Sequence, residues 1–216
     1  SCGELCLDFN TNDLRPFYWL NFDKKKEIFS TKFVKYTSII NVKDRANLKK
    51  YPDITSDKLY GNFSRSLKQQ ITKSIGENFE LKEEFDPIFF EKTTEQIFKN
   101  QKIKPDFNIE SIKKIYEDLF KKKKLLMFIS LKGKKKLSFC IFGILGNNAV
   151  YLNGGRVENS NDDSSLTFNF IMSLSVLKKR GIETIDLEGI NSPKRGFWKL
   201  GFGGDIKPYY YLSFKS

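Results

Sequence analysis

The sequence contains no histidine in its 216 residues. This absence excludes Ser–His and Cys–His nucleophilic pairs and zinc sites that use histidine ligands. Because histidine is the side chain that titrates nearest neutral pH, any proton transfer has to use carboxylates, tyrosine, lysine, cysteine, water or the substrate itself. A reaction that depends more on positioning than on strong acid–base chemistry suits such a chain.

Cysteine is scarce as well, with three residues in the chain. An odd and sparse set does not form a disulfide framework and fits a reducing compartment. Cys2 and Cys6 have a spacing found at metal sites, but no second pair completes four ligands, so no metal site is predicted. Cys140 lies in an apolar run and is predicted to be a small core residue.

Long apolar runs are also missing. The longest stretches, Leu125–Ile129 and Phe139–Leu145, are of strand length, whereas a membrane-spanning helix needs about 20 apolar residues. The start of the sequence does not show the basic and then apolar pattern of a secretory signal. We therefore expect a cytoplasmic protein without a membrane span.

What the sequence does contain is abundant phenylalanine and a large positive charge. The 21 Phe residues and an apolar fraction of 39% are enough to bury the core of one domain. Lys and Arg total 38 against 26 Asp and Glu, a net charge of +12. Such an excess favours anionic partners, namely phosphate-bearing small molecules, nucleic acids or anionic membranes.

Hydrophobic periodicity and capping residues predict the order of the elements. Before residue 78 the pattern indicates a strand over Lys32–Val42 and a helix capped by Ser64. The elements predicted after residue 78 are a short strand around Phe79, helices that begin at Asp86-Pro87 and Asn108, strands Leu125–Leu131, Leu137–Leu145 and Ala149–Leu152, a helix from Ser164 to Lys179, a strand Thr184–Leu187, a helix Pro193–Leu200 and a strand Tyr209–Phe214. The order over residues 78–216 is therefore β-α-α-β-β-β-α-β-α-β, which is the order of the GNAT acyltransferase fold.

The segment Glu183–Tyr210 resembles the end of FemAB-like proteins of the GNAT superfamily. In that pattern a strand ending in Asp-x-x-Gly, here Asp186 and Gly189, precedes a loop, the pair Trp198-Lys199 and the run Phe202-Gly203-Gly204. Upstream, residues 166–181 match the helix that precedes this strand, and residue 65 is an arginine in a helix similar to one before the GNAT half. The resemblance covers about residues 35–216. It implies an α/β fold with a mixed central sheet, divided into an N-terminal extension (1–77) and an acyltransferase core (78–216).

Two positions depart from the wider GNAT pattern. Asn191 and Gly201-Phe202 fit the usual Asn-x-x-Ala…Tyr-x-x-x-Gly-Phe ending, but the tyrosine that protonates the departing thiolate would fall at Trp198, whose indole cannot serve. The stretch 153–165 replaces the usual Gln/Arg-x-x-Gly-x-Gly phosphate loop and carries Asp162 and Asp163 beside its glycines and arginine. FemAB-like proteins commonly lack that loop too, so this departure favours the FemAB-like branch.

The resemblance implies that the acyl donor lies in a gap between strands Ala149–Gly154 and Thr184–Leu187. Glu188 follows the second strand directly and is the predicted base for the amine proton. Asp186 is the second candidate, and a purely structural role for it stays open. The pair Gly154-Gly155 is predicted to mark a bulge where the strand splays. The remaining predicted site residues are Gly154, Gly155, Arg156, Asn191 and Lys199 for the cofactor and Arg195, Tyr151, Tyr209 and Trp198 for the substrate.

The function predicted from these residues is N-acyl transfer from acyl-CoA to the amine of a small anionic acceptor. Amino-sugar nucleotides used for bacterial surface glycans are the predicted acceptor class. Three alternatives stay open: aminoacyl transfer from charged tRNA to a peptidoglycan precursor, N-acetylation of a protein, and non-catalytic binding of nucleic acid by a basic protein. No RNA-recognition or helix-turn-helix pattern favours the last. The sequence leaves open whether the protein forms a homo-oligomer.

Overall fold

Runs of β-branched and aromatic residues form the strands of one mixed sheet. The computed structural model describes residues 2–11, 13–20, 22–24, 28–43, 51–105, 107–157 and 164–215. The strands are β1 Cys2–Cys6, β2 Phe29–Asn41, β3 Glu80–Glu83, β4 Leu125–Lys132, β5 Lys135–Leu145, β6 Asn148–Arg156, β7 Thr184–Asp186 and β8 Asp205–Lys215. Their order across the sheet is β1-β8-β2-β7-β6-β5-β4-β3. The β6–β7 pair is parallel, and the other neighbouring pairs are antiparallel.

Seven α-helices accompany the strands within the described ranges. They are α1 Arg15–Tyr18, α2 Lys58–Asn62, α3 Arg65–Ile75, α4 Pro87–Asn100, α5 Ile109–Lys121, α6 Ser165–Lys179 and α7 Pro193–Leu200. The predicted caps of α3 and α4 are confirmed, since the side chains of Ser64 and Asp86 each accept a backbone N–H from the first turn. Asn108, predicted as the start of α5, caps that helix in the same way. No helix of these ranges is both long and apolar enough to cross a membrane.

The sheet has an apolar core on each face. Phe128, Phe142 and Phe170 belong to the larger cluster beneath α3 and α6, whereas Phe139 and Ile141 belong to the cluster beneath α4 and α5. Because side chains alternate along a strand, β5 contributes to both cores. The predicted GNAT-like α/β architecture with a mixed central sheet is confirmed.

The N-terminal residues enter the same sheet. β2 lies between β7 and β8, and β1 pairs with β8 at the edge. The strand predicted over Lys32–Val42 is β2, which begins three residues earlier, while β1 was not predicted. The division at residue 77 stays a prediction, but two strands from before that residue are built into the sheet that carries the candidate site.

The feature that shapes the site is the divergence of β6 from β7. The two strands pair only where Asn148, Ala149 and Val150 face Thr184 to Asp186. Beyond that point the chain after β7 turns to β2, where the N–H of Leu187 donates to the carbonyl of Ser38 (2.9 Å). The rest of β6 therefore has no strand on this side among the described residues.

The bulge in β6 lies at a different residue from the one predicted. Ile141 pairs with Asn153 and Phe142 with Tyr151, so Leu152 is the additional residue. Gly154 and Gly155 are in regular register with β5. The prediction of a bulge at Gly154-Gly155 is wrong, because these glycines make room for neighbouring side chains instead.

Candidate functional site

A cavity of about 750 Å³ opens where β6 leaves β7. The unpaired half of β6, the C-terminal half of α4 and helix α7 surround it. Arg195 on α7 lies with its guanidinium carbon 5.9 Å from the ring centroid of Phe98 on α4, so the two helices approach each other at this cavity. The charged side chains that line it are Lys35, Arg156, Arg195, Lys199 and Glu188. The cavity is therefore cationic apart from one carboxylate.

Glu188 is held in an unusual backbone conformation. Its φ is +55°, in the left-handed region that a side chain with a Cβ disfavours. Its N–H donates to Oδ1 of Asp186 at 2.7 Å. The pKa of the Glu188 carboxyl is raised, chiefly because the protein removes water from it; Asp186 adds to the rise and the Lys199 ammonium opposes it. The side chain keeps contact with solvent through the cavities, so this desolvation is partial.

Asp186 supports the turn that follows β7. Its Oδ1 accepts from the N–H of Glu188 and also from the hydroxyl of Thr37 on β2. These bonds correspond to the structural role that the sequence left open for this residue. They hold the chain in the conformation that presents Glu188.

Lys199 reaches the same place from α7. Its ammonium donates to the carbonyl of Gly189 (3.3 Å) and lies 5.8 Å from the ring centroid of Tyr151. The pKa of Lys199 is lowered because of desolvation, an effect that Glu188 and Asp186 oppose and Arg195 reinforces. Glu188 and Lys199 therefore both line this cavity, interact electrostatically there, and have pKa values shifted in opposite directions.

Tyr151 and Trp198 form part of an aromatic wall. The Tyr151 side chain is buried, and burial raises the pKa of its phenol well above the ordinary value. Trp198 packs against Phe170 and Phe202, and its Nε1 donates to the hydroxyl of Thr167 at 3.5 Å. Both residues line the cavity, but their polar atoms have protein partners.

Asn191 binds backbone rather than open space. Its Oδ1 accepts from the N–H of Tyr36 (2.9 Å) and its Nδ2 donates to the carbonyl of the same residue (3.1 Å). The side-chain amide thus forms with β2 the pair of hydrogen bonds that a neighbouring strand would otherwise form. The predicted cofactor-binding role of Asn191 stays a prediction.

A second cavity, which we call the trough, adjoins the first. It has a volume of about 810 Å³ and crosses β8, β2, β7 and the start of β6. Ala149 and Ile185 pack beneath α6. Because side chains alternate along a strand, Val150 and Asp186 in the trough point away from α6. Its outer wall is formed by residues 6–10, that is, by the last residue of β1 and the four residues that follow it.

Three residues line both cavities, namely Glu188, Gly189 and Tyr209. The pKa of Tyr209 is raised, first by desolvation and then by the neighbouring Cys6, Glu188 and Asp186, while a hydrogen bond with Asn191 opposes the rise. The tyrosine is therefore a protonated hydroxyl at neutral pH. Ligands in the two cavities would meet at these three residues.

The predicted site residues, which are spread over residues 151–209 of the sequence, lie around the same two cavities in the structure. Ten of them line the first cavity: Tyr151, Gly154, Gly155, Arg156, Glu188, Asn191, Arg195, Trp198, Lys199 and Tyr209. Asp186 lines the trough. Residues 158–163 of the stretch that replaces the phosphate loop lie outside the described residues, including Asp162 and Asp163.

Other residues near the site had no signal in the sequence. The wall formed by residues 6–10 belongs to a segment with no recognisable motif. Tyr116 on α5 has a pKa raised to about 12 because it is buried; a hydrogen bond with Asn153 opposes this rise and the charge of Glu188 adds to it. Its place on the apolar stripe of α5 indicated only a core residue.

The chain shares its fold with several solved structures. It is similar to FemX, with a TM-score of 0.64 and 11% identity over 89% of this chain and 67% of that one. A conserved protein of unknown function from Bacteroides thetaiotaomicron VPI-5482 matches with a TM-score of 0.63 and 14% identity, over 94% of this chain and 74% of that one. L-PGS from Bacillus licheniformis matches with a TM-score of 0.58 and 11% identity, over 93% of this chain and 65% of that one.

No protein-family model matches the sequence, and no curated protein is significantly similar to it. At the identities found among solved structures, the similarity establishes the fold and not the reaction. The chemistry has to be argued from the site itself.

Proposed function

We propose that the protein is an N-acyltransferase that moves an acyl group from a phosphate-bearing donor, acyl-CoA, to an amine. The observation that carries the proposal is the divergence of β6 from β7 beyond Val150, beside a cavity that Glu188 lines. Holding a donor carbonyl and an amine in line supplies much of the rate of acyl transfer. A slot between two strands that is lined by a carboxylate provides such positioning without histidine.

The charge of the first cavity supports a phosphate-bearing donor. Arg156, Arg195 and Lys199 contribute cationic groups to it, and arginine in particular matches phosphate geometry. The hydroxyls of Ser164 and Ser165 at the start of α6 are buried and have no hydrogen-bond partner within the ranges that the structure describes. Neither residue is among those that line the first cavity, so the support for a donor phosphate comes from the cationic side chains.

The proposed reaction uses the groups at the meeting point of the cavities. The Glu188 carboxylate accepts the amine proton, directly or through water, as the amine nitrogen attacks the carbonyl carbon. Lys199 stabilises the negative charge that develops on the carbonyl oxygen. The C–S bond then breaks, and the departing sulfur takes the electron pair and a hydrogen bond from Tyr209. Tyr209 would thereby compensate for Trp198 at the position of the usual tyrosine.

The charges of the first cavity bear on the donor and not on the acceptor. The nucleotide-linked amino sugar stays the acceptor predicted from the sequence. A second candidate reaction is aminoacyl transfer from charged tRNA to a peptidoglycan precursor, which the cationic first cavity also supports because tRNA carries its aminoacyl group beside phosphates.

The test is transfer by the full chain from acetyl-CoA and longer acyl-CoA donors to free and nucleotide-linked amino sugars. Thiol release and acylated product are measured together, and a parallel assay follows ribonuclease-sensitive incorporation from aminoacyl-tRNA. We expect thiol release that depends on an amine. Glu188→Gln should lower kcat about 100-fold or more, the size expected for loss of a general base, with the donor KM unchanged.

The matched control is Glu110→Gln on α5, the same chemical change at an exposed residue paired with Lys114. It should leave kcat unchanged. Release of thiol without acylated amine, together with no incorporation from tRNA, would overturn the proposal. Full activity of Glu188→Gln would overturn the role of that carboxylate.

A further inference from the structure

The two cavities that meet at Glu188 carry charges of opposite sign. The first cavity is lined by one carboxylate, Glu188, and by four cations, namely Lys35, Arg156, Arg195 and Lys199. In the trough, the described charged side chains are Asp8, Asp186, Glu188 and Lys207. Most cations of the site therefore lie in the first cavity, while two of its three carboxylates, Asp8 and Asp186, lie only in the trough.

The trough also has an aromatic floor next to its carboxylates. Tyr209 and Tyr211 lie on the same face of β8 with ring centroids 5.9 Å apart, and Phe9 belongs to the wall. Lys35, which lines the first cavity, has its ammonium 4.8 Å from the ring centroid of Tyr211, so the aromatic floor already has one ammonium over a ring. Aromatic faces together with carboxylates attract organic cations and repel phosphates.

We infer that the trough binds the acceptor, that the acceptor carries a protonated amine, and that the part of it inside the trough carries no phosphate. Asp8 helps to select this amine. The identity of this ligand as the acceptor rests on the proposed acyl transfer, whereas the binding of an ammonium in the trough does not. A nucleotide-linked amino sugar could then bind only with its phosphates outside the trough. The wall that makes this selection comes from the segment after β1, outside the predicted acyltransferase core.

Asp8 is suited to a selective substitution. Its Oδ1 accepts the N–H of Asn10 at 2.8 Å, and the residue is exposed on the trough side. Asparagine can accept the same bond through its side-chain carbonyl, so Asp8→Asn removes the charge and keeps the turn. Asp118→Asn is the matched control, since Asp118 is an exposed residue on α5 paired with Lys122 (2.7 Å) and the change in net charge is the same.

The experiment compares two small molecules with the same aromatic body and opposite charge, benzylamine and benzyl phosphate. Each is titrated into the 15N-labelled full chain, and backbone amide shifts locate the binding site. We expect benzylamine to shift amides of residues 7–10 and 209–211, and benzyl phosphate to shift those of 153–156 and 195–199. Asp8→Asn should weaken benzylamine binding about threefold, the size of an exposed charge pair, and Asp118→Asn should not change it.

Benzylamine that shifts only the first cavity, or neither cavity, would overturn the inference. So would benzyl phosphate that binds the trough as well as benzylamine does, or equal effects of the two substitutions. The result is distinguishable from failure of the proposed function. If an ammonium binds in the trough but no acyl transfer occurs, the binding site stands and the proposed reaction is wrong. If transfer occurs without such binding, the reaction stands and the acceptor binds elsewhere.

Discussion

Glu188 differs from the other residues with left-handed backbone. Asn78, Lys102 and Lys123 also have positive φ values of about +50°, but each follows the end of a helix, where this conformation is common. Glu188 follows a strand, and its conformation is maintained by the N–H bond to Asp186 and by the attachment of Leu187 to β2. Backbone strain that the surroundings hold in place is typical of functional positions.

Replacing Glu188 by glycine should therefore separate stability from activity. We expect Glu188→Gly to raise the free energy of unfolding by about 1 kcal/mol, since glycine adopts this φ without the steric cost of a Cβ. Acyl transfer should be lost with the carboxylate. Denaturant unfolding and the transfer assay measure the two effects.

The control for this substitution is Lys123→Gly, at a φ of +56° after α5. It should stabilise the protein by a similar amount and leave transfer unchanged. A destabilised Glu188→Gly variant would show that the left-handed conformation is not under strain.

The pKa of Glu188 sets the expected pH dependence. A general base must be ionised, so kcat/KM should fall as the pH drops through the raised pKa of this carboxyl. The Lys199 ammonium favours the charged carboxylate and holds this pKa down. Lys199→Met removes that attraction, and the acidic limb of the profile should move to higher pH. Lys114→Met on α5 serves as the control, and a limb that stays in place in Lys199→Met would rule out the pairing.

At the scale of elements, two features shape β6, a bulge and a pair of glycines. The additional residue Leu152 forms a bulge just beyond Val150, where the pairing with β7 ends, and a bulge bends the strand that contains it. Gly154 and Gly155 then allow side chains to approach the backbone. A Cβ on Gly154 would lie 1.7 Å from the hydroxyl oxygen of Tyr151, and one on Gly155 would lie 2.7 Å from Cδ1 of Ile97. The glycine pair suggested a bulge because glycine within a strand marks either a bulge or a close approach, and here it marks the second.

This packing predicts a coupling between Gly154 and Tyr151. Gly154→Ala should lower the free energy of unfolding by about 1–3 kcal/mol, because an added methyl overfills the core. In a Tyr151→Phe background the loss should be smaller, since the nearest atom is gone. Gly143→Ala is the comparison, with its closest neighbour the flexible end of Leu152 at 3.2 Å. Additive effects in the double-mutant cycle would contradict the close approach.

At the scale of the whole molecule, the ends of the chain complete one sheet. β2 pairs with β8 along most of its length and with β7 at its end. Thr37 and Tyr36 from β2 bind Asp186 and Asn191, so the N-terminal residues position the loop that carries Glu188. The segment 1–77, predicted as an extension, thus contributes to the candidate site. This arrangement has long-range pairings at its centre, which fold more slowly than local contacts.

Helices α3 to α7 and the β4–β5–β6 meander followed from the sequence alone, because the signals for them act over a few residues, whereas the short helices α1 and α2 were not predicted. A cap such as Asp86 bonds to the next turn, and an apolar stripe needs only one helix. The family resemblance also predicted that Glu188 and Lys199 belong to one site. Strand β1, the exact bulge and the trough did not follow, because no local pattern specified them.

The sequence determined the type and order of most elements and the absence of histidine chemistry. Only the tertiary structure decided that β6 parts from β7 after Val150, that Tyr209 joins two cavities, and that their charges are opposite. The physical reason is that strand pairing and cavity lining depend on residues from opposite ends of the chain. Their register is set by the packing of the whole sheet, which no short segment encodes.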